Sequence, residues 1–197
     1  MDRLEAMTIL LRVADKGSFS AASRELGVPL ATVSRKVNEL ETHLGTKLLV
    51  RTTRKVALTD AGATYVASAR HILDEIDETE RIALAVAQVN GCYYCLSAHS
   101  YLGLNLAKIS PEEVALNRKG ESGDAKANAA VRFAAKVVRE RGHITEADIK
   151  AVRDAGFSDG QIVEILAVTA ENIFTNLLNV VAETDIDFPV VRASNAA

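Results

Sequence analysis

GSFSAASRELGVPLATVSRKVNELETHLG, residues 17–45, places two helix-length segments around a tight turn. Ser18 or Ser20 can cap a short helix over 21–26, because a hydroxyl there accepts one of the N–H groups that a first turn leaves unpaired. Gly27, Val28 and Pro29 make the turn. A second helix is expected from about Leu30 to Leu44, with Val33, Val37, Leu40 and Leu44 on its buried face. Upstream, Leu4, Met7, Leu10, Leu11 and Ala14 recur at helical spacing, and Gly17 ends their helix. Helices meeting across a glycine turn predict a helix-turn-helix, whose second helix enters the major groove of DNA. The outward residues of that helix are Ala31, Thr32, Ser34, Arg35 and Lys36. They are small, polar or cationic, and can reach base edges and phosphates.

Downstream runs KLLVRTTRKVALT, residues 47–59. Two β-prone runs, Leu48–Arg51 and Lys55–Leu58, flank a short turn and predict a small hairpin wing. Arg51, Arg54 and Lys55 surround its tip, placed for phosphate or minor-groove contact. Beyond it, Tyr65, Ala69, Ile72 and Ile76 follow 4-3-4 spacing. That stripe suits either a two-fold partner helix or packing within one subunit.

Charge separates this segment from the rest. Residues 1–58 hold 10 Lys and Arg against 6 Asp and Glu, a net of +4 inside a chain whose net charge is −3. A basic first third on an acidic remainder predicts a nucleic-acid module joined to something else. With 48% hydrophobic residues, only 3 prolines and many Ala, Leu, Val and Glu, the chain is expected to be mainly α-helical around a real core. No apolar run approaches the roughly 20 residues that cross a bilayer. The opening MDRLEAMTILLRVADKGS breaks its apolar stretch with charges and reads as a helix, not a signal peptide. A cytoplasmic location without a membrane partner is therefore expected.

After residue 60 no strand–helix alternation appears. Ser110-Pro111-Glu112-Glu113 offers an N-cap, a proline at N1 and a capping-box glutamate. A long helix is expected over 124–141, another after Thr145, and the longest over 158–183. This last is apolar on more than one face, as a buried central helix would be.

GCYYCLSAHS, residues 91–100, contains the chain's two cysteines, Cys92 and Cys95, with His99 four residues on. Asn90-Gly91 is a turn signal, and Asn90 can cap a helix beginning at 91 or 92. Both thiols then lie in its first turn, where free N–H groups and the helix dipole favour a thiolate. If the chain reverses at Gly91, Glu80 comes level with residues 99–101, where a carboxylate would fix the imidazole tautomer and raise its basicity. A zinc site would need a fourth ligand such as Glu80 or solvent, because no second cysteine pair exists. A merely structural pair of buried thiols is also open. Redox chemistry is the best reading, and no metal is expected.

Two resemblances sharpen these expectations. GSFSAASRELGVPLATVSRKVNELETHLGTKLLVRTTRKVALTDAG resembles the winged helix-turn-helix of LysR-type transcriptional regulators over residues 1 to about 62. That implies a long linker helix, opened by Thr59-Asp60-Ala61-Gly62, through which two subunits pair. ERIALAVAQVNGCYYCLSAHS and ENIFTNLLNVVAETDIDFPVV resemble the AhpD-like alkylhydroperoxidases of the carboxymuconolactone decarboxylase-like superfamily, through the spacing Glu80-x11-Cys92-x2-Cys95-x3-His99. By that resemblance Cys95 is the peroxidatic thiol, Cys92 resolves its sulfenic acid as a disulfide and donates a proton, and His99 with Glu80 forms the proton relay. Tyr94 stands where well-described alkylhydroperoxidases carry a histidine.

The resemblances together imply residues 1–62 as winged helix-turn-helix, 63–79 as linker helix, 80–191 as an all-helical thiol-redox domain and 192–197 as a frayed tail. Thr32, Ser34, Arg35, Lys36, Arg51 and Arg54 would contact duplex DNA through the segment 18–58. The redox domain would be a thiol peroxidase acting on hydroperoxides. It would need no cofactor beyond the Cys92–Cys95 pair, and a dithiol protein would reduce it. The alternative is a regulator that senses peroxide rather than turning it over. The linker stripe implies a dimer, and the three-fold contacts of the second family would extend it to a D3 hexamer.

Overall fold

The structure, a computed structural model, describes residues 2–51 and 56–193. Arg54 and Lys55, and the side chain of Arg51, lie outside the described residues. The chain divides into two compact units, Met1–Glu75 and Ile76–Ala197.

The first unit opens with α1 (Arg3–Lys16), whose N-cap Asp2 accepts from the N–H groups of Leu4 and Glu5. Ser18, not Ser20, caps α2 (Phe19–Leu26) by accepting from the Ala21 N–H. α3 covers Leu30–Leu44. β1 (Leu49–Arg51) and β2 (Val56–Leu58) pair antiparallel, with Leu49 opposite Leu58 and Arg51 opposite Val56. The core joins Ile9, Leu10 and Val13 of α1, Ala22 of α2, Val33, Val37 and Leu40 of α3, and Leu48 and Leu49 at the wing. Each fully buried Leu or Val contributes roughly 1.5–3 kcal/mol.

The expected buried face of α3 needs one correction. Leu44 is exposed, and the inner position one turn earlier belongs to Glu41, which is buried. Its Oε1 accepts from the N–H groups of Leu48 (2.9 Å) and Leu49 (3.1 Å), and its Oε2 takes Lys47 Nζ at 2.8 Å. Burial alone would raise this carboxyl's pKa, but the hydrogen bonds from Lys47, Leu48 and Leu49 outweigh it and hold it below the usual range.

α4 (Asp60–Asn90) is one helix whose residues belong to both units. Thr59 accepts from the Gly62 N–H through its hydroxyl, at 2.9 Å. A Cβ on Gly62 would stand 1.9 Å from the Leu48 carbonyl oxygen, so only glycine lets the helix start against the wing. The stripe read for a partner is already half used: Ala69 is buried in the first unit's own core, with Tyr65 packed against it. Ile72 stays exposed.

The second unit continues with α5 (Tyr93–Leu102), a π-helical turn over Gly103–Ala107, α6 (Pro111–Lys119), α7 (Ala125–Arg139), α8 (Glu146–Asp154) and α9 (Asp159–Val181). Ser110 caps α6 as expected, but Glu113 does not complete a capping box. Its carboxylate instead accepts from Arg81 Nη1 (2.6 Å), the Ser122 hydroxyl (2.7 Å) and the Gly123 N–H (2.6 Å), tying α4 to the loop after α6. The capping boxes are at Thr145–Asp148 and Ser158–Gln161.

The buried central helix is α4, not α9. Every residue from Ile82 to Ala87 is buried, because IALAVA sets alanines between larger side chains and lets neighbours close from several sides. α9 buries Ile162, Ile165, Thr169, Asn172 and Asn176. Val163, Phe174, Leu177, Leu178 and Val181 stay exposed on the single chain. The inner face of α9 carries threonine and asparagines, so its surplus apolar residues lie outside.

Candidate redox site and nucleic-acid interface

Local backbone geometry brings the two thiols together. Gly91 adopts a left-handed φ of 69°, and the Cys92 N–H returns to the Ala87 carbonyl at 3.1 Å. This stops α4 and reverses the chain. Asn90 is not the cap of the next helix: its amide donates to Asn176 Oδ1 at 3.0 Å. Cys92 itself is the N-cap of α5, its Sγ accepting the Cys95 N–H at 3.3 Å. Both thiols therefore lie in the first turn, with Sγ atoms 2.7 Å apart. They are nearly sealed from solvent, Cys92 1% and Cys95 3% exposed. Burial, the hydrogen bond to Cys95 and the charge that Cys95 can carry push the Cys92 thiol up to about 12, so it stays protonated at neutral pH.

The reversal also sets Glu80 on α4 beside His99 on α5. His99 Nδ1 and Glu80 Oε2 are 2.8 Å apart, and Glu80 is buried. A carboxylate only accepts, so the hydrogen belongs on Nδ1 and Nε2 keeps its lone pair. Among the described residues no hydrogen bond joins His99 to either sulfur. No group of three or more His, Cys, Asp and Glu side chains among the described residues is arranged to hold a metal ion.

Three contributors escaped the sequence. Asn179, near the end of α9, donates its amide to Cys95 Sγ at 3.4 Å. The segment read as irregular packs against the cluster that contains the cysteines. Phe188 meets the Tyr94 ring edge-to-face, with centroids 5.9 Å apart, and Val191 packs on Cys92, Cys95 and Leu96. The Val191 N–H donates to the Ser97 hydroxyl at 2.8 Å. Of the tail expected to fray, 194–197 lie outside the described residues, while Arg118 Nη2 donates to the Arg192 carbonyl at 2.7 Å and Ala193 packs against the cysteine cluster. Burial and the nearby Asp187 carboxylate raise the Tyr94 phenol above its usual range, so it remains a neutral hydroxyl.

On α3, Ala31 and Arg35 are exposed and Thr32 and Ser34 half-buried. Arg35 Nη1 pairs with Glu39 at 2.7 Å on the same helix face, an exposed pair easily exchanged for a phosphate. Lys36 pairs with Glu5 of α1, with its side chain 14% exposed, and it lines the same cleft as Ser34 and Arg35. It braces α1 against α3. Asn38, Thr42 and His43 join Ala31, Ser34 and Arg35 along one cleft, and helical spacing could have found them. No described helix is long and apolar enough to cross a membrane.

Comparison with known proteins matches two families, one after the other along the chain. Residues 4–63 match the model for the bacterial regulatory helix-turn-helix protein, lysR family. Residues 64–140 match the carboxymuconolactone decarboxylase family. The chain thus carries a LysR-type helix-turn-helix followed by an AhpD-like domain. An HTH-type transcriptional regulator of Xanthomonas campestris pv. campestris (strain 8004) is 53% identical over 72 residues, 36% of this chain and 21% of that protein. The HTH-type transcriptional regulator CrgA of Neisseria meningitidis serogroup B (strain ATCC BAA-335 / MC58) is 36% identical over 115 residues, 58% of this chain and 38% of that one. A crystal structure of a CbnR DBD–DNA complex aligns at 34% identity and a TM-score of 0.36, covering 36% of this chain and 82% of that one. The matched segment spans only about a fifth to two fifths of these two curated relatives.

Proposed function

We propose that this chain is a DNA-binding transcriptional regulator whose second unit senses hydroperoxides through Cys92 and Cys95. The observation that carries the reading is the buried pair of sulfurs 2.7 Å apart with a Glu80–His99 couple alongside, in one chain with a helix-turn-helix. Cys95 passes its proton through water to His99, whose charge Glu80 balances. The thiolate attacks the terminal oxygen of the hydroperoxide. An S–O bond forms, the O–O bond breaks, and sulfur loses two electrons. The alkoxide takes the proton of Cys92 and leaves as the alcohol. The Cys92 thiolate then attacks the Cys95 sulfenic acid, closing a disulfide, and the departing hydroxide leaves as water with the proton from His99. A dithiol protein restores the pair through a mixed disulfide and is itself oxidised to a disulfide.

Burial favours sensing over sustained turnover. A peroxidase must admit both peroxide and a protein reductant each cycle, and both cysteines are nearly sealed from solvent. α4 supplies a physical link, since it carries Ala69 of the first unit's core and Glu80 of the redox site. The second reading is a working peroxidase of the same chemistry. A cytoplasmic location agrees with both.

Two experiments test these roles. Cys95→Ser should abolish reaction with peroxide and leave no sulfenic acid to trap, while Cys92→Ser should accumulate it on Cys95. Mass spectrometry that finds the oxidised sulfur on residue 92 would reverse the roles. For DNA, Arg35→Ala should cost about 1–3 kcal/mol on a preferred duplex and relax its specificity. Peroxide should change the affinity of the wild type and leave that of Cys95→Ser unchanged. Equal affinity of oxidised and reduced protein, with many peroxides consumed per chain, would establish the peroxidase instead.

A further inference from the structure

Cys92 and Cys95 share a helix turn and a nearly equal degree of burial. Cys92 accepts the Cys95 N–H as N-cap, and a third element reaches Cys95. α9 ends at Val181 with Ala182 as its cap. Glu183 takes a left-handed φ of 48°, its N–H returns to the Val180 carbonyl, and the Thr184 N–H returns to the Asn179 carbonyl at 3.1 Å. That pattern is a Schellman stop. It lays Thr184 against Asn179, and the Thr184 hydroxyl donates to Asn179 Oδ1 at 2.9 Å. The two faces of an amide are hard to tell apart by shape, so its neighbours must fix which atom points where. Here Thr184 claims the oxygen, and the Nδ2 hydrogens face Cys95 Sγ.

We infer that Asn179, oriented by Thr184, selects Cys95 as the sulfur that carries the thiolate. An amide N–H strengthens its bond when the acceptor becomes an anion, so it stabilises the thiolate more than the thiol. Among the described residues it is the side-chain amide that donates to a sulfur, and it reaches Cys95 alone. Cys92 instead receives the Cys95 backbone N–H and lies beside the site of the charge. Asn179 therefore acts on a reacting atom, while Thr184 is a positioning residue. The inference rests on the thiol-redox reading of this site, but its physical content is narrower: which sulfur ionises first.

Titration of thiolate ultraviolet absorbance tests it, in full-length protein carrying Cys92→Ser so that Cys95 is the sole thiol. Asn179→Leu, close to isosteric but without a donor, should move the midpoint up by about one pH unit, a tenfold loss of thiolate below the midpoint. Thr184→Val should move it in the same direction by less, because the amide is then free to turn over. Helical circular dichroism checks that each variant is folded, and if Asn179→Leu is not, Thr184→Val decides alone. A midpoint unmoved in the folded variants overturns the inference. Peroxide consumption and DNA affinity are measured separately on the unsubstituted protein. Their failure alongside a shifted midpoint would sink the sensing and peroxidase readings while leaving Asn179 as the selecting donor.

Discussion

At the scale of single residues, buried or bridged carboxylates govern the response to acid. Glu41, Glu113 and Asp148 all have depressed pKa values, Asp148 to about 2, chiefly through its hydrogen bonds with Lys136 and Thr145. A group whose folded pKa lies below its unfolded one contributes stability above the unfolded value and loses it as pH falls through the folded value. Stability should therefore drop between about pH 4 and about pH 2. Asp148→Asn should flatten that drop for the second unit, read as the urea midpoint across the window. Equal losses in wild type and variant would refute the assignment. Such residues were unevenly legible. Glu80 and His99 could be paired from the sequence because one turn at Asn90-Gly91 set their register. Asn179 could not, since it meets Cys95 from 84 residues away and an asparagine on a helix announces nothing by itself. The ion pair of Lys36 with Glu5 was not legible either, since nothing in the spacing of α3 announces a partner on α1.

At the scale of elements, two left-handed helix stops bracket the redox site. One is at Gly91, where the residue costs nothing, and the other at Glu183, where a side chain sits in a conformation it disfavours. Glu183→Gly should stabilise the second unit by about 0.5–1 kcal/mol, since the steric penalty exceeds the added freedom of the unfolded glycine. Denaturant unfolding followed by helical signal would show it, and a lower midpoint would mean that the Glu183 side chain supports the stop in another way. This asymmetry explains what sequence could read. Glycine turns and serine caps marked most helix boundaries, so α2, α3, α6, α8 and the start of α9 fell where expected within a few residues. The expected span 158–183 did end at this stop, although no glycine marks it. The π-helical turn over Gly103–Ala107 was silent, because its widened register leaves no local signature.

At the scale of the molecule, apolar surface remains to be covered. Val163, Ala167, Ala170, Phe174, Leu177 and Val181 on α9 are exposed at 4-3-4-3-4 spacing, the seam of a helix that packs against another helix. The linker stripe was the expected place for self-association, yet Tyr65 and Ala69 belong to the first unit's core. We therefore expect a second copy of the chain to meet α9, and Phe174→Glu combined with Leu177→Glu to leave single chains by light scattering. A wild type that is already a single chain at high concentration would remove the idea. A mass near six chains would support the D3 arrangement, and two chains at every concentration would exclude it. The sulfur at the start of α5 reaches this scale too. In the proposed chemistry Cys92 Sγ would carry electrons, and it is also the acceptor that begins a helix. Around a closed thermodynamic cycle, the stability gap between dithiol and disulfide chains must equal the difference between the pair's reduction potentials in folded and unfolded protein. Each ~30 mV by which folding raises that potential reappears as ~1.4 kcal/mol of added resistance to unfolding in the dithiol form. A melting curve taken in each oxidation state is thus a measurement of voltage.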